Sequence, residues 1–327
     1  MTLSNALLQV QRLRVEFHTR RGVLTALDDV SFHIDKGEIL GVVGESGAGK
    51  SLTGAAIISL LEPPGRVARG EIVLDGQRID QLDEDAMRRI RGKQIGAIFQ
   101  DPLTSLNPLY TIGQQLVETI LTHLPLSATQ ARNRAIELLE STGIPAARER
   151  FDHYPHQFSG GMRQRVVIAL ALAAEPRLIV ADEPTTALDV SIQAQIIDLL
   201  KSLCRDRGAA IMLITHDMGV IAETADRVAV MYAGRVVEIG PVHRVIGEPK
   251  HPYTRGLMGS IPSIHSAAES LAQIDGSMPR LNAIPSGCAF NPRCPARMPR
   301  CSQERPDLMP ATDALAACWL YDTEAAR

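Results

Sequence analysis

No stretch of this chain stays apolar long enough to cross a lipid bilayer. The longest such run, Val166 to Ala174, falls well short of the roughly 20 residues a spanning helix needs. Met1 to Phe17 lacks the basic region followed by an apolar core that marks a secretory signal. Excess charge is also missing. Lys and Arg number 34 against 37 Asp and Glu, a net charge of −3, which gives no bulk field for gathering nucleic acid. Short basic clusters such as Arg88-Arg89-Ile90-Arg91 read as a solvated face. Internal repeats and low-complexity tracts are absent. What remains is a globular chain of 327 residues, 45% hydrophobic, a length that suggests about two domains.

Cysteine is scarce and unevenly placed. Cys204 stands alone in a helical pattern, as a small buried hydrophobe would. The other four, Cys288, Cys294, Cys301 and Cys318, fall close to the C-terminus, and in a cytosolic protein such clustering points to metal rather than to disulfides. The intervals between them match neither a zinc ribbon nor a ferredoxin, because no C-x-x-C knuckle is present. Four thiolates suit tetrahedral Zn²⁺ or a [4Fe–4S] cluster, and residue chemistry does not separate the two.

The strongest positive signal is Gly44-Glu45-Ser46-Gly47-Ala48-Gly49-Lys50-Ser51. It satisfies G-x-x-x-x-G-K-[ST], and it sits between a strand-like run, Glu38 to Val43, and a helix-compatible run, Ser51 to Leu61, which is the context the motif requires. Glycines let backbone N–H groups turn inward around phosphates, and a helix N-terminus adds its positive dipole end. Lys50 is placed for the β- and γ-phosphates and Ser51 for Mg²⁺. The motif implies a nucleoside triphosphate site.

Two further motifs extend it. Arg177 to Glu183 reads as an apolar strand ending in paired carboxylates, with Asp182 suited to Mg²⁺ and Glu183 to polarising an attacking water. Ser159-Gly160-Gly161 precedes the helical run Arg163 to Ala174, forming a second anion site at a helix start. The chain's own P-loop already serves its own nucleotide, so this second reader suits the nucleotide of another subunit in a head-to-tail dimer.

Taken in order, the P-loop, Gln100, Ser159-Gly160-Gly161, Asp182-Glu183, Ala187-Leu188-Asp189 and His216 resemble the nucleotide-binding subunit of an ABC transporter over essentially the whole chain. The resemblance implies that Gln100 senses Mg²⁺ and water and relays to a membrane partner. It implies that His216 contacts the γ-phosphate, that Asp189 belongs to a loop communicating across the dimer, and that Phe17 stacks on adenine, although a core Phe would read the same way. The signature departs from the family's Leu-Ser-Gly-Gly-Gln, with Phe158 for Leu and Met162 for Gln. Phe99-Gln100-Asp101-Pro102, Ser105-Leu106-Asn107-Pro108 and His251-Pro252-Tyr253-Thr254 are similar to the peptide and nickel importer group, in its dipeptide and oligopeptide branch.

That likeness sets the expectations. The fold is α/β, a P-loop NTPase (RecA-like) core with an antiparallel β subdomain and a helical signature subdomain, plus a C-terminal Cys-rich metal-binding extension. Residues 1–247 form the nucleotide-binding domain, with the helical part at about 104–174, and residues 248–327 form the extension. The resemblance favours a [4Fe–4S] cluster on Cys288, Cys294, Cys301 and Cys318, with Zn²⁺ the alternative. The cofactors are ATP and Mg²⁺, the latter on Ser51, Gln100 and Asp182. The implied partners are two transmembrane permease subunits, a sister ATPase chain and, indirectly, a periplasmic substrate-binding protein, but no nucleic acid. The expected seat is the cytoplasmic face of the bacterial inner membrane, and the expected work is ATP hydrolysis driving import of di- or oligopeptides. Nickel, glutathione or antimicrobial peptides are alternative cargoes, and a soluble non-transport ABC ATPase is the rival class.

Overall fold

A computed structural model describes residues 5–20, 22–185, 190–260 and 274–322. The chain begins with two long strands, β1 (Ala6–Thr19) and β2 (Gly22–Asp35), then β3 (Ile39–Val43) and helix α1 (Lys50–Ile57). Next come β4 (Gly65–Leu74), β5 (Gln77–Arg78), α2 (Glu84–Ile90) and β6 (Ile95–Ile98). A helical stretch follows: α3 (Pro102–Ser105), α4 (Ile112–His123), α5 (Ala128–Ser141), α6 (Ala147–Arg150) and α7 (Gly160–Leu172). Strand and helix then alternate through β7 (Leu178–Asp182), α8 (Val190–Arg207), β8 (Ala210–Ile214), α9 (Met218–Thr224), β9 (Arg227–Tyr232) and β10 (Arg235–Pro241). The chain closes with α10 (Val242–Gly247), α11 (Pro252–Gly259), β11 (Met309–Ala311) and β12 (Ala314–Ala316).

These elements fall into two compact units. The first takes in the chain up to Leu8, then Ile34–Glu38 and Asp75–Ile214. The second takes in Gln9–His33, Ile39–Leu74 and everything from Thr215 onward.

In the first unit β6, β7 and β8 run parallel, with Ile95 opposite Leu178 and Leu178 opposite Ala210. β8 is buried along its whole length, the near-continuous apolar run expected of a parallel strand covered on both faces. The helices start where the sequence offers caps. Ser127 accepts from Gln130 N–H while Gln130 reaches back, and Thr111 and Gln114 do the same for α4. These reciprocal bonds satisfy N–H groups that a helix start leaves unpaired.

In the second unit β3 pairs parallel with β9, Leu40 opposite Arg227. β9 and β10 form a hairpin across Tyr232-Ala233-Gly234, with a register shift between Val236 and Glu238. β12 then pairs antiparallel with β10, and β11 with β12. Gly240 permits that approach, since a Cβ there would lie 2.8 Å from the Cβ of Ala314. The C-terminal segment therefore extends the sheet, in a stretch that reads in sequence as Pro-rich and weakly periodic.

One expectation is corrected here. Cys288, Cys294, Cys301 and Cys318 border one narrow pocket together with Phe290, Pro306 and Trp319. Among the described residues, however, no three His, Cys, Asp or Glu side chains are grouped so as to hold a metal ion. The Cys-rich metal-binding extension, with its iron–sulfur cluster or zinc, is not supported. Burial raises Cys288 to about 11 and also raises Cys294 and Cys318, which favours the protonated thiols.

Aromatic packing ties the segment down instead. Aromatics make up only 4% of the sequence, yet three of them meet here. Tyr232 lies 4.7 Å from Tyr253 and 5.2 Å from Phe290 between ring centroids, and all three rings are fully buried. Replacing Phe290 with Ala deletes a buried ring between β9 and the tail and is expected to lower stability by about 3–5 kcal/mol. Trp319 is the sole tryptophan, so urea unfolding followed by its fluorescence reports on this unit; an unchanged midpoint would show that the ring is dispensable.

Candidate functional site

The P-loop leaves β3 and enters α1, the arrangement its sequence requires. Gly44 has φ of 150°, and a Cβ there would lie 2.3 Å from the Met231 carbonyl oxygen. Gly49 has φ of 104° and is the N-cap of α1, with no side chain capping the helix. The helix dipole favours an anion at this end. Lys50 is buried and its Nζ donates to the carbonyls of Gly44 at 2.8 Å and Glu45 at 3.1 Å. Ser46, Gly47 and Ser51 are exposed, and Ala48 is buried with its carbonyl accepting from Gly234 N–H at 2.9 Å. A glycine-rich turn, one buried ammonium and a helix start without a side-chain cap form a donor set that fits a polyphosphate.

Two other expected residues belong to this unit. Phe17 is half-buried in β1, its ring edge 2.9 Å from where a Cβ on Gly65 would sit. Thr215 N–H donates to Val42 O at 3.3 Å, so exposed His216 leaves the chain at the level where β3 ends. Asp217 then caps α9, accepting from the N–H groups of Gly219 and Val220.

In the first unit β7 carries Asp182 at its end, half-buried, and Glu183 follows at φ of 46°. A non-glycine residue in the left-handed region costs on the order of 1 kcal/mol, and the surroundings here over-determine it. Glu183 N–H donates to Ile214 O at 2.8 Å, and its carboxylate accepts from Gln100 Nε2 at 2.9 Å. Buried Gln164 of α7 donates to Pro184 O at 2.8 Å, bracing the turn just after the acid. Ser159 is the N-cap of α7, accepting from Met162 N–H at 3.3 Å. Gly160 faces open space, and Ser159 and Gly160 are exposed. Asp189, with Ala187 and Leu188, lies outside the described residues.

Sequence reasoning missed the supports. Glu45 N–H donates to the Tyr253 hydroxyl at 2.8 Å, and its carboxylate takes Arg293 Nη1 at 3.1 Å on both oxygens. Neither partner sits near a recognisable motif position for phosphate chemistry, and no spacing rule could have found them. Glu238 is buried and accepts from the backbone N–H groups of Lys250 and His251, each at 2.8 Å. Burial outweighs those bonds and raises its carboxyl above the ordinary range.

Residues 27–186 match the family model described as ABC transporter, and residues 237–301 match the one described as oligopeptide/dipeptide transporter, C-terminal region. The oligopeptide transport ATP-binding protein OppD of Bacillus subtilis is 49% identical over 98% of this chain and 90% of its own length. The dipeptide transport ATP-binding protein DppD of Escherichia coli is 46% identical over 93% of each. The chain belongs to the ABC transporter ATP-binding proteins, in their oligopeptide and dipeptide branch. Among solved structures, the ABC ATPase resembles the dimeric cassette MJ0796 bound to ADP and Pi. The match has a TM-score of 0.66 at 30% identity and covers 72% of this chain and 98% of that one.

The loop's neighbour His251 gives this ABC ATPase a pH dependence. His251 is buried, its Nδ1 accepts from Tyr253 N–H at 3.0 Å, and burial, with help from Arg255, pushes it down to about 3. The unfolded chain takes up this proton near pH 6.5. Between those values the unfolded state binds more protons, so stability falls as pH drops through the window. His251→Asn keeps an acceptor for that N–H but cannot titrate. Between about pH 7 and pH 4.5 the variant is expected to lose roughly 2–3 kcal/mol less stability than the wild type. Parallel pH–stability curves in denaturant titrations would contradict the assignment.

Proposed function

We propose that this ABC ATPase energises import of dipeptides or oligopeptides through a membrane permease. The observation that carries the reading is the presence on one chain of an ATP-hydrolysis motif set and a C-terminal region matching that of oligopeptide and dipeptide transporters. The ATPase activity follows from the family; the peptide cargo is taken from the relatives named above.

In this reading the P-loop amides, Gly44 through Ser51, and Lys50 bind the nucleotide's phosphates, and Phe17 stacks on the adenine. Ser51, Asp182 and Gln100 hold Mg²⁺, which when bound neutralises charge that develops on the phosphate oxygens. Glu183 accepts hydrogen bonding from the attacking water and polarises it, with the Gln100 amide holding the carboxylate at 2.9 Å. His216 contacts the γ-phosphate. Ser159 and Gly160, exposed at the start of α7, and half-buried Gly161 beside them serve the nucleotide of a second ATPase subunit, a sister chain, and Asp189 communicates across that dimer.

A membrane partner is supported by the segment after Gln100. Phe99, Leu103, Leu109 and Tyr110, close together in sequence, are all exposed, Leu109 at 80%, and exposed apolar side chains of this kind suit an interaction surface. No helix among the described residues is long and apolar enough to cross a membrane. We assign the transmembrane path to two permease subunits, with this chain peripheral on the cytoplasmic face of the inner membrane. A periplasmic substrate-binding protein delivers cargo to the permease.

Glu183→Gln is expected to lower ATP turnover by about 10²–10⁴-fold while leaving ATP binding intact. Lys50→Ala is expected to weaken binding itself by roughly a hundredfold, the loss of a charge-assisted contact. Phosphate release and nucleotide binding measured on the same preparations separate the two effects. Turnover retained by Glu183→Gln would remove the general-base assignment, and uptake of labelled dipeptides unaffected by deletion of the chain would remove the cargo.

A further inference from the structure

We propose that Arg293, in the C-terminal segment, is a positioning residue for the phosphate loop, acting through Glu45. The proposal rests on the reading of that loop as the ATP site. Arg293 is a well-used arginine. Its side chain is only 8% exposed. Nη1 bonds both carboxylate oxygens of Glu45 at 3.1 Å and approaches the Tyr232 hydroxyl at 3.4 Å. Nη2 donates to the carbonyls of Ile274 at 3.2 Å and Gly276 at 3.4 Å, and Nε to that of Asp275 at 2.8 Å. One guanidinium thus binds the P-loop, the 274–276 strip and the aromatic cluster at once. Lysine, a point charge without the planar fork, cannot reproduce this.

Glu45 is the position at which such an anchor shapes the loop. Its N–H is held by the Tyr253 hydroxyl at 2.8 Å, so both its backbone and its side chain are fixed by residues beyond 250. Its carbonyl accepts from Lys50 Nζ and from Ala48 N–H, each at 3.1 Å. Where Glu45 rests therefore sets where the phosphate-binding ammonium rests and how the loop closes into α1. The same strip brings Met278 within 4.0 Å of a Cβ position on Gly47, the loop's most open glycine.

Without Arg293 the loop samples other arrangements, and apparent ATP affinity falls with the fraction that remains competent. The anchor acts on Glu45 and the phosphate loop, while Glu183 is held by Gln100 and the Ile214 carbonyl, so the effect is expected in ATP affinity and KM rather than in kcat.

The test is a double-mutant cycle on the full chain with ATP binding and steady-state hydrolysis as readouts. Arg293→Ala is expected to weaken ATP binding and raise KM by about tenfold, with kcat within about twofold. Arg293→Lys should recover part of the loss. Glu45→Gln should weaken binding by a similar factor, and the double variant should be no worse than either single one, since both break one interaction. Should Arg293→Ala fail to fold by its melting curve, Glu45→Gln and Tyr253→Phe carry the test, each expected to raise KM without lowering kcat. Wild-type ATP affinity in folded Arg293→Ala or in Glu45→Gln overturns the proposal, as does strict additivity in the double variant. A wild-type chain that does not bind ATP overturns the reading of the loop and the proposal with it.

Discussion

Tyr232 at the end of β9, Tyr253 in α11 and Phe290 in the C-terminal segment pack with centroid separations of 4.7, 5.2 and 5.4 Å. Each ring arrives on a different stretch of chain, so the cluster decides where the C-terminal segment lies. The polar ends of the rings do further work. The Tyr253 hydroxyl meets the backbone of Glu45, and the Tyr232 hydroxyl meets Arg293. Buried Tyr hydroxyls need such partners, and here the partners belong to the phosphate loop and to the residue that grips it. Non-directional burial of the rings therefore places directional hydrogen bonds at the mouth of the nucleotide site.

How much of this could be read from the sequence depended on how local the signal was. The P-loop carries its own geometry in its glycines, because φ of 150° at Gly44 and 104° at Gly49 are conformations that side-chain-bearing residues rarely adopt. Strand β7 announces itself as an apolar run, and the β9–β10 hairpin by Ala-Gly at its turn. Ser127 and Gln130 form the capping box that their three-residue spacing suggests. In contrast, β11 and β12 are three residues each and exist because β10 offers them an edge, which no periodicity can reveal. Arg293 lies 248 residues from Glu45 along the chain, and pairing at that separation is a property of the fold. The four cysteines misled for a related reason. Their confinement to one segment suggests a metal, whereas aromatic rings from distant positions already hold that segment in place.

The buried carboxylate Glu238 shows how the sheet and the C-terminal segment are joined at their first contact. It has 0% exposure, and the pairing of β10 with β9 shifts register between Val236 and Glu238. Two backbone N–H groups, of Lys250 and His251, meet its oxygens. An unpaired carboxylate there would be costly to bury, so the chain must enter α11 at this one place. Tyr253, two residues on, is delivered to Glu45 as a consequence.

The two compact units consequently carry different parts of the chemistry. Glu183, strained at φ of 46°, is held by Gln100 and by the Ile214 carbonyl, both in the first unit. Lys50 and the loop amides are supported by β3, by Gly234 and by the C-terminal segment, all in the second. Changes in the C-terminal segment reach the P-loop through short, directional contacts of Tyr253 and Arg293 with Glu45. The buried fork of Arg293 concentrates that dependence on one residue: an ion pair with Glu45 taken largely out of water is unforgiving of a missing partner.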